Sequence, residues 1–329
     1  MHKLSLRVAT ETWPIAGAFT ISRGSKTQAD VVVVELNDGR HCGRGESVPY
    51  PRYAETVTKV MAQIHEMAGK LESGVSRSEL QQIMPAGAAR NAVDCALWDL
   101  DAKARAVPVH QLAGLKVPPR PLITALTISL NSPETMAAAA AQARARRLLK
   151  VKLGGDGDRD RIRAVRRAAP EAELIVDANE AWTPDNLADN LAACAEAGVT
   201  LIEQPLPAGA DDALGNIARP IPVCADESVH DRASLATLVG KYDAVNVKLD
   251  KTGGLTEALA LAAGAERLGF AIMVGCMVCT SLSIAPAMLV AQRARIVDLD
   301  GPLLLARDRP HGLRYEDSLV HPATPELWG

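Results

Sequence analysis

The sequence predicts an α/β protein in which an N-terminal α+β domain precedes an eight-stranded parallel barrel. Two observations support this prediction: strand-like and helix-like segments alternate with a near-constant period after residue 121, and a polar residue or a cysteine ends each strand-like segment. Repeated alternation of strand and helix produces parallel strands, and eight of them can close into a barrel. An open doubly wound sheet is disfavoured because no G-x-G-x-x-G follows any of these strands.

The first part of the chain, residues 1–117, is expected to form the α+β domain. An alternating opening segment is followed by "DVVVVEL", the turn "NDG" and "RHCGRGES", which is the pattern of a β-hairpin. Helical periodicity then extends over residues 54–72, 77–84 and 86–106. Three prolines between residues 118 and 121 interrupt the pattern, and we expect the domain boundary there.

The second part, residues 118–329, contains eight strand candidates. In chain order they are "LITALTI", "LLKVKL", "ELIVDAN", "TLIEQPL", "IPVCADES", "AVNVKLD", "AIMVGCM" and "ARIVDLD". The intervening segments carry helix signals. Ser132-Pro133 and Thr183-Pro184 can each start a helix, and Gly198 and Gly269 stand where helices should stop.

Each strand candidate ends in a polar residue or a cysteine, at a position where a buried strand would be expected to have an apolar residue. The residues are Thr127, Lys152, Asp177, Glu203, Asp226, Lys248, Cys276 and Asp298, spaced 22 to 28 residues apart. In an eight-stranded barrel such positions converge at the carboxyl ends of the strands, where barrel active sites lie. The spacing therefore predicts one polar active site at the barrel mouth.

The residue types indicate the chemistry of this site. Strands three, four and five supply Asp177, Glu203 and Asp226, and three converging carboxylates repel one another unless a cation is present. Ligation by oxygen alone favours Mg²⁺ or a similar hard ion over zinc. Strands two and six, which are opposite in a ring of eight, supply Lys152 and Lys248. A substrate carboxylate held on the metal would have an acidified α-proton, which one lysine could remove while the other returns a proton to the opposite face.

Two further positions extend this hypothesis. Lys150 shares a strand face with Lys152, so it could neutralise the substrate carboxylate; its charge, the metal and partial burial would each favour a neutral Lys152. On strand eight, Asp298 and Asp300 point to one face and could hold a cationic group such as an α-ammonium.

The overall composition excludes several other classes. A net charge of −3 and a pI near 6.2 make nucleic acid an unexpected partner. No apolar run approaches the ~20 residues of a membrane span, and the N-terminus lacks the apolar core of a signal peptide, so a cytoplasmic location is expected. The six cysteines are interpreted as core residues, including the C-x-x-C of Cys276 and Cys279.

The pattern "KVKLG … VDANEAW … IEQPL … CADES … VNVKLDKTGG … DLDGPL" resembles the muconate-lactonizing subgroup of the enolase superfamily, which uses a lysine or histidine base with Mg²⁺. The D-x-D of the last strand is similar to that of its dipeptide epimerases, in particular the bacterial L-Ala-D/L-Glu epimerases. The resemblance implies a (β/α)7β modified TIM barrel with an N-terminal capping domain, and a tail from about residue 303 that packs back on the cap.

The resemblance also implies a function and a set of site residues. The function is Mg²⁺-dependent epimerisation of L-Ala-D-Glu to L-Ala-L-Glu in murein peptide recycling, by two-base 1,1-proton transfer through a metal-stabilised enediolate. Lys152 and Lys248 would be the acid/base pair, with one Mg²⁺ per subunit on Asp177, Glu203 and Asp226. The positions that would contact the dipeptide substrate are Arg23, Thr127, Lys150, Cys276, Val278, Asp298 and Asp300.

Several alternatives stay open. A cycloisomerase or an o-succinylbenzoate synthase would share the metal and the lysines, but its substrate has no ammonium for Asp298 and Asp300 to hold. A non-catalytic barrel should have lost part of this set of residues, and the sequence retains all of it. Asn179 and Glu227 either support the ligands and lysines or stabilise a strand–loop corner. The oligomeric state and the enantiomer that each lysine serves are not predicted.

Overall fold

The cap is built on an antiparallel sheet. The computed structural model describes residues 3–329, so Met1 and His2 of the alternating opening segment lie outside the described residues. The sheet comprises β1 (Ser5–Ile21), β2 (Gly24–Asn37) and β3 (Cys42–Ser47). The strands pair in chain order, which confirms the predicted hairpin between β2 and β3.

Five helices complete this part of the chain. They are α1 (Val57–Glu66), α2 (Ala68–Glu72), α3 (Arg77–Ile83), α4 (Ala88–Arg105) and α5 (Val109–Leu112). The first four lie in the three stretches of predicted helical periodicity. Strand β3 lies directly on α4: a Cβ atom on Gly43 would stand 2.2 Å from the carbonyl oxygen of Ala96, and one on Gly45 would stand 2.1 Å from that of Ala92. Glycine is therefore required at both positions for this close approach.

The first strand candidate of the barrel divides in two. Its beginning, β4 (Leu122–Ile123), leaves the barrel and pairs antiparallel with a strand of the C-terminal tail. Its end is the first of eight parallel strands: β5 (Leu126–Ile128), β6 (Leu148–Lys152), β7 (Glu173–Asp177), β8 (Val199–Glu203), β9 (Val223–Ala225), β10 (Ala244–Val247), β11 (Ala271–Gly275) and β12 (Ile296–Asp298). They pair in chain order, and the backbone N–H of Ala125 donates to the carbonyl oxygen of Val297 at 2.9 Å, which links the first strand to the last. The predicted parallel barrel is confirmed.

Helices cover the outside of the barrel. They are α6 (Pro133–Gln142), α7 (Asp158–Ala168), α8 (Pro184–Glu196), α10 (Leu255–Arg267) and α11 (Ser281–Ala291), whereas the short α9 (Leu249–Thr252) follows β10 directly at the mouth of the barrel. The predicted start signals are confirmed, because Ser132 Oγ accepts the N–H of Thr135 at 3.3 Å and Asn186 Oδ1 accepts that of Thr183 at 2.9 Å. After β8 and β9 the connections contain short 3-10 segments, 212–215 and 232–238, in place of α-helices.

An apolar layer closes the barrel interior below the mouth. Each of the eight strands, or the residue beside it, contributes one buried side chain: Ala125, Leu148, Ile175, Leu201, Cys224, Ala244, Met273 and Ile296. This layer alternates along the strands with outward-facing residues that pack against the helices. Polar side chains on the same inner face can therefore lie only above it, at the carboxyl ends of the strands.

The C-terminal tail contacts the cap. Its strands β13 (Tyr315–Glu316) and β14 (Leu319–Val320) form a small sheet with β4, and the buried indole of Trp328 donates to the carbonyl oxygen of Cys95 at 3.1 Å. The division of the chain at residue 117 stays a prediction. Among residues 3–329 the structure contains no helix that is long and apolar enough to cross a membrane.

Candidate active site

The polar residues that end the strand candidates meet at one end of the barrel. Lys152, Asp177, Glu203 and Asp298 are the last residues of their strands, and Thr127 lies within β5. Asp226, Lys248 and Cys276 follow β9, β10 and β11 by one residue. Lys152 is paired in register with Asp177, and Asp177 with Glu203. The structure therefore brings these strand-end residues of neighbouring strands side by side, while their roles stay a prediction.

A cavity of about 830 Å³ lies between the barrel mouth and the cap. Its volume is that of a site for a small molecule. Of the residues predicted to form the site, the cavity is lined by Arg23, Thr127, Lys150, Lys152, Asp226, Lys248, Cys276, Val278, Asp298 and Asp300. Asp177 and Glu203 are fully buried beneath this lining. The cap contributes further walls, among them Phe19, Lys26, Tyr50 and Arg52.

Lys150 is a buried cation inside a cluster of carboxylates. Its Nζ lies 2.7 Å from Asp298 Oδ2, 2.7 Å from Glu203 Oε2 and 3.1 Å from Asp177 Oδ2. Burial alone would lower the pKa of Lys150, but the three carboxylates outweigh it and raise that pKa well above its ordinary value. Lys150 is therefore a fixed positive charge at the centre of the site.

Lys152 and Lys248 each pair with a separate carboxylate. Lys152 Nζ donates to Asp177 Oδ2 at 2.6 Å, and Lys248 Nζ donates to Asp226 Oδ2 at 2.6 Å. For Lys248 burial lowers the pKa, but Asp226 and then Glu203 outweigh this effect and raise it well above its ordinary value. A neutral lysine in this site requires that another cation engage the carboxylates.

The three predicted ligands form a donor set of buried oxygens. Burial opposes ionisation of Asp177, but Lys152 and Lys150 hold its pKa below the ordinary value. Burial and then the neighbouring Asp177 raise the pKa of Glu203 to about 7. Oε2 of Glu203 lies 2.7 Å from Lys150 Nζ but receives no hydrogen bond of good geometry from the described residues. Oε2 of Glu203 could therefore accept a bond from a further cation.

The carboxylates fit a hard divalent ion by their chemistry. All three donors are carboxylates, and oxygen ligands are those that Mg²⁺ prefers. In the arrangement described, lysine ammonium groups lie among them. Among residues 3–329, no three His, Cys, Asp or Glu side chains are grouped closely enough to hold a metal ion in this arrangement.

The two aspartates of strand eight have different partners. Asp298 Oδ2 accepts from Lys150 at 2.7 Å, whereas its buried Oδ1 has no hydrogen-bond donor among the described residues. Asp300 Oδ2 accepts the backbone N–H of Thr127 at 2.7 Å. Burial and then Asp298 raise the pKa of Asp300 to about 7. A cationic group of a ligand would relieve this crowding of negative charge.

Arg23 and Lys26 bring positive charge from the cap. The guanidinium of Arg23 donates to Glu227 Oε1 at 2.7 Å, to the carbonyl oxygen of Asn179 at 2.9 Å and to Glu180 Oε2 at 3.1 Å. Lys26 lies over the ring of Tyr50, 5.2 Å from its centroid, and forms no ion pair with a carboxylate of residues 3–329. Lys26 was not singled out from the sequence, since one lysine in a polar turn carries no signal there.

The structure also defines what Asn179 and Glu227 contact. The backbone N–H of Asn179 donates to Asp177 Oδ1 at 2.9 Å, so this residue supports a proposed ligand. Glu227 contacts Arg23 of the cap. Two residues missed in the sequence contact the ligands directly: Asn246 Nδ2 donates to Glu203 Oε1 at 2.8 Å, and Lys251 Nζ donates to Asp226 Oδ1 at 2.5 Å. Asn246 shares a strand face with Lys248, two residues away, and this spacing could have revealed it.

The C-x-x-C pair forms part of the cavity wall and the core behind it. Cys276 is partly exposed to the cavity, whereas Cys279 is fully buried. Burial raises the pKa of the Cys279 thiol well above its ordinary value, which makes it an unreactive group. All six cysteines are free thiols. Cys95, Cys194, Cys224 and Cys279 are buried as interpreted, whereas Cys42 and Cys276 are partly exposed.

Comparison with known proteins identifies the family. Residues 3–114 match the mandelate racemase / muconate lactonizing enzyme N-terminal domain, and residues 135–325 match the enolase C-terminal domain-like family. A barrel with three carboxylates between two opposed lysines, covered by such a cap, belongs to an enzyme, and the chain is a member of the enolase superfamily. Within it, this protein is an isomerase of the racemase and epimerase kind.

Three similar proteins illustrate the range of this group. An L-Ala-D/L-Glu epimerase of Escherichia coli is 48% identical over 96% of this chain and 99% of its own length. An N-acetyl-D-glutamate racemase of Pseudoalteromonas is 46% identical over 91% of this chain and 95% of its own. A crystal structure of an enolase family member from Agrobacterium tumefaciens with homology to dipeptide epimerases, with bound sodium and L-Ala-L-Glu, superposes with a TM-score of 0.98 at 57% identity, covering 99% of this chain and 100% of that one.

Proposed function

We propose that this protein epimerises L-Ala-D-Glu to L-Ala-L-Glu by moving a proton at the α-carbon of the second residue. The observation that carries the proposal is the placement of Lys152 and Lys248 on opposite sides of one cavity, each paired with its own carboxylate. Inversion at carbon requires removal of a proton from one face and delivery to the other. The similarity to an L-Ala-D/L-Glu epimerase supports the choice of substrate.

Asp177, Glu203 and Asp226 are proposed to hold one Mg²⁺ per subunit. When bound, the ion would stabilise the negative charge that develops on the substrate carboxylate during proton removal. Lys150, fixed among the carboxylates, supplies a further positive charge at this end of the cavity. In one direction Lys152 accepts the α-proton while protonated Lys248 donates to the opposite face, and in the other direction their roles are exchanged.

The two ends of the dipeptide are proposed to bind to oppositely charged walls. Asp298 and Asp300 would hold the α-ammonium of the alanine residue, since Asp298 Oδ1 has no hydrogen-bond donor among residues 3–329. The side-chain carboxylate of the glutamate would bind a cation of the cap. Arg23 is the predicted residue for this role, but two carboxylates of the protein already engage it. Lys26 is the second candidate because it forms no ion pair with a carboxylate of residues 3–329.

This choice between cap cations can be tested with two variants. If Lys26 binds the glutamate side chain, Lys26→Gln raises KM for L-Ala-D-Glu more than for L-Ala-D-Gln, which lacks the side-chain charge. Arg23→Gln should do so instead if Arg23 leaves its protein partners for the substrate. If a variant raises KM equally for both substrates, the substitution has changed the shape of the cavity and not the recognition of the side-chain charge.

A second candidate function is racemisation of an N-acylated amino acid. The 46% identity to an N-acetyl-D-glutamate racemase favours it. Such a substrate has no ammonium, so Asp298 and Asp300 would face a neutral acyl group. The unbonded Oδ1 of Asp298 and the carboxylate of Asp300, which forms no ion pair with the described residues, would then gain no partner from the substrate, and we therefore prefer the dipeptide.

Proton exchange in D₂O tests the proposal directly. L-Ala-D-Glu, L-Ala-L-Glu and N-acetyl-D-glutamate are incubated separately with the enzyme and Mg²⁺, and α-deuteration and inversion are followed by NMR, with EDTA in place of Mg²⁺ as the control. We expect both dipeptides to exchange and interconvert much faster than N-acetyl-D-glutamate does. The proposal is wrong if only N-acetyl-D-glutamate exchanges, or if neither dipeptide does.

The same proposal extends to the roles of the two parts of the chain and to the place of the enzyme in the cell. Residues 1–117 would select the substrate and residues 118–329 would perform the proton transfer, with the tail from about residue 303 packed on the cap. A cytoplasmic role in recycling murein peptides would follow from the substrate, because L-Ala-D-Glu is a fragment of those peptides.

A further inference from the structure

One carboxylate of the barrel joins two segments of the cap. Glu180, on the loop after β7, accepts two hydrogen bonds from Arg52, Nε to Oε2 and Nη2 to Oε1, each at 2.7 Å. Arg23 Nη1 donates to the same Oε2 at 3.1 Å. The backbone N–H of Ala208, on the next barrel loop, donates to Oε1 at 2.8 Å. Only 9% of the Glu180 side chain is exposed.

The loop that carries Glu180 is itself firmly attached to the barrel. The N–H of Glu180 donates to the carbonyl oxygen of Gln204 at 2.9 Å, and the N–H of Trp182 donates to that of Pro205 at 3.0 Å. The indole of Trp182 is buried and donates to Asp158 Oδ2 at 2.8 Å. Glu180 is therefore a fixed point on the barrel to which segments of the cap can be tied.

The backbone at this position is unusual. Asn179 and Glu180 have φ angles of 45° and 67°, in the left-handed region that residues with a Cβ atom rarely adopt. Two consecutive residues stay in such a conformation only where their surroundings compensate for it. Here the compensation comes from the cap: Ser22 Oγ and Arg23 Nη1 both donate to the carbonyl oxygen of Asn179 at 2.9 Å.

The segments held in this way form walls of the cavity. Arg23 belongs to the segment here called the 22–26 turn, which joins β1 to β2 and includes the first three residues of β2; Arg52 belongs to the loop of residues 50–53. Both segments line the cavity, whereas Glu180 does not. A bidentate carboxylate–guanidinium pair fixes orientation as well as distance. Release of Glu180 would remove the one carboxylate of the described residues that contacts both arginines; Arg52 would lose its ion pair, and Arg23 would keep only Glu227 and the carbonyl oxygen of Asn179 on the barrel.

We propose that Glu180 is a positioning residue that keeps the cavity closed by holding the 22–26 turn and the 50–53 loop against the barrel. The proposal rests on the proposed function only in taking this cavity as the substrate site. Closure limits the escape of bound substrate and excludes water during proton transfer. Loss of Glu180 should therefore weaken substrate retention while leaving Lys152 and Lys248 in place.

Limited proteolysis of the Glu180→Gln variant tests the proposal without any substrate. Trypsin can cleave after Arg23, Lys26 and Arg52, which all lie in the two segments, and mass spectrometry follows each bond separately. The bond after the exposed Lys116 is an internal reference. We expect cleavage at the three sites to accelerate by about tenfold or more, because proteolysis follows the population of the open form and a charge-assisted pair is lost.

Kinetics provide a second readout. In Glu180→Gln we expect KM for the dipeptide to rise about tenfold and kcat to change less than about threefold, the pattern of lost substrate retention. Glu180→Asp keeps the charge and should recover part of the protection from trypsin. The control is Glu196→Gln, which breaks an exposed ion pair of 2.8 Å with Arg163 far from the cap and should change neither readout.

The outcomes separate the two proposals. If the wild-type enzyme does not epimerise dipeptides, the trypsin experiment still decides the role of Glu180. If Glu180→Gln is cleaved at the wild-type rate at all three sites, Glu180 does not hold the cap segments, whatever the enzyme turns over. If the thermal midpoint of Glu180→Gln falls sharply, Arg52→Gln replaces it, with hydrogen exchange of residues 50–53 as the readout; unchanged exchange there contradicts the proposal.

Discussion

Replacement of either proposed catalytic lysine should separate proton exchange from inversion. In Lys152→Met and in Lys248→Met, the remaining lysine still faces one side of the substrate. We expect each variant to exchange the α-proton of one dipeptide enantiomer with D₂O and to lose interconversion of the two. The two variants should retain opposite enantiomers, because Lys152 and Lys248 lie across the cavity from each other.

The magnitude follows from the isolation of each lysine. Each bonds a different carboxylate at 2.6 Å, and neither can reach the opposite face without abandoning that partner. A positioned general acid or base contributes about 10²–10⁴-fold to a rate, which corresponds to roughly 3–5 kcal/mol of activation free energy. Epimerisation should therefore fall by about 10³-fold or more. Exchange of the retained enantiomer should fall much less.

The assay is NMR in D₂O with L-Ala-D-Glu and L-Ala-L-Glu supplied separately. Lys103→Met is the matched control: it also removes a 2.7 Å ion pair with a buried carboxylate, that of Asp99, but lies in α4 away from the cavity lining. It should keep full activity. Normal interconversion by either Lys152→Met or Lys248→Met would refute the two-base mechanism, and loss of the same enantiomer's exchange in both variants would refute the opposed geometry.

Three further predictions concern binding and stability. Asp298→Asn should raise KM for L-Ala-D-Glu about tenfold, since a charge-assisted contact to the ammonium is lost; steady-state kinetics with an unchanged KM would exclude that contact. Mg²⁺ at a hundredfold excess over its Kd should raise the free energy of unfolding by about 2.7 kcal/mol, and Asp226→Asn should diminish this gain in a denaturation series with and without the metal. Arg309→Met should lower the free energy of unfolding by about 3–5 kcal/mol, because fully buried Glu46 loses its 2.7 Å partner; urea denaturation measures it, and an additional Glu46→Gln substitution should recover part of the loss.

The alternation of segments predicted the barrel because its pairings are local. Each parallel strand pairs with the next along the chain, so chain order alone gives the neighbours. It could not show that Leu122–Ile123 leaves the barrel, since their partners, Leu319–Val320, lie far away in the sequence. Nor could it show the 3-10 segments after β8 and β9. The connection after β8, residues 204–222, contains four prolines and two glycines, which disfavour an α-helix there.

The barrel part of the site was predictable for a similar reason. Once strands are adjacent, the residue types at their ends determine which charges meet, as in the register pairs of Lys152 with Asp177 and Asp177 with Glu203. The hydrogen-bond partners at the cap were not predictable. Glu180 and Arg52 are separated by 128 residues, and nothing in either segment indicates the other. The sequence indicated which face of its strand Lys150 occupies. It could not show that Lys150 lies between two proposed ligands and Asp298, because these residues come together only in the folded barrel.

Substrate specificity should be able to change by substitution in the cap without a change in the proton-transfer residues of the barrel. Lys152 and Lys248 are almost fully buried and bonded to buried carboxylates, so a substitution there leaves a charge without its partner. Lys26 lies exposed near the start of β2 and forms no ion pair with a carboxylate of residues 3–329, so its replacement leaves no buried charge behind. Substitutions of Lys26 should therefore alter the choice of the second residue at little cost in stability. Because the bonds of the 22–26 turn to the barrel go to Glu180, Glu227 and Asn179 and not to Lys152 or Lys248, such changes need not disturb the lysines that move the proton.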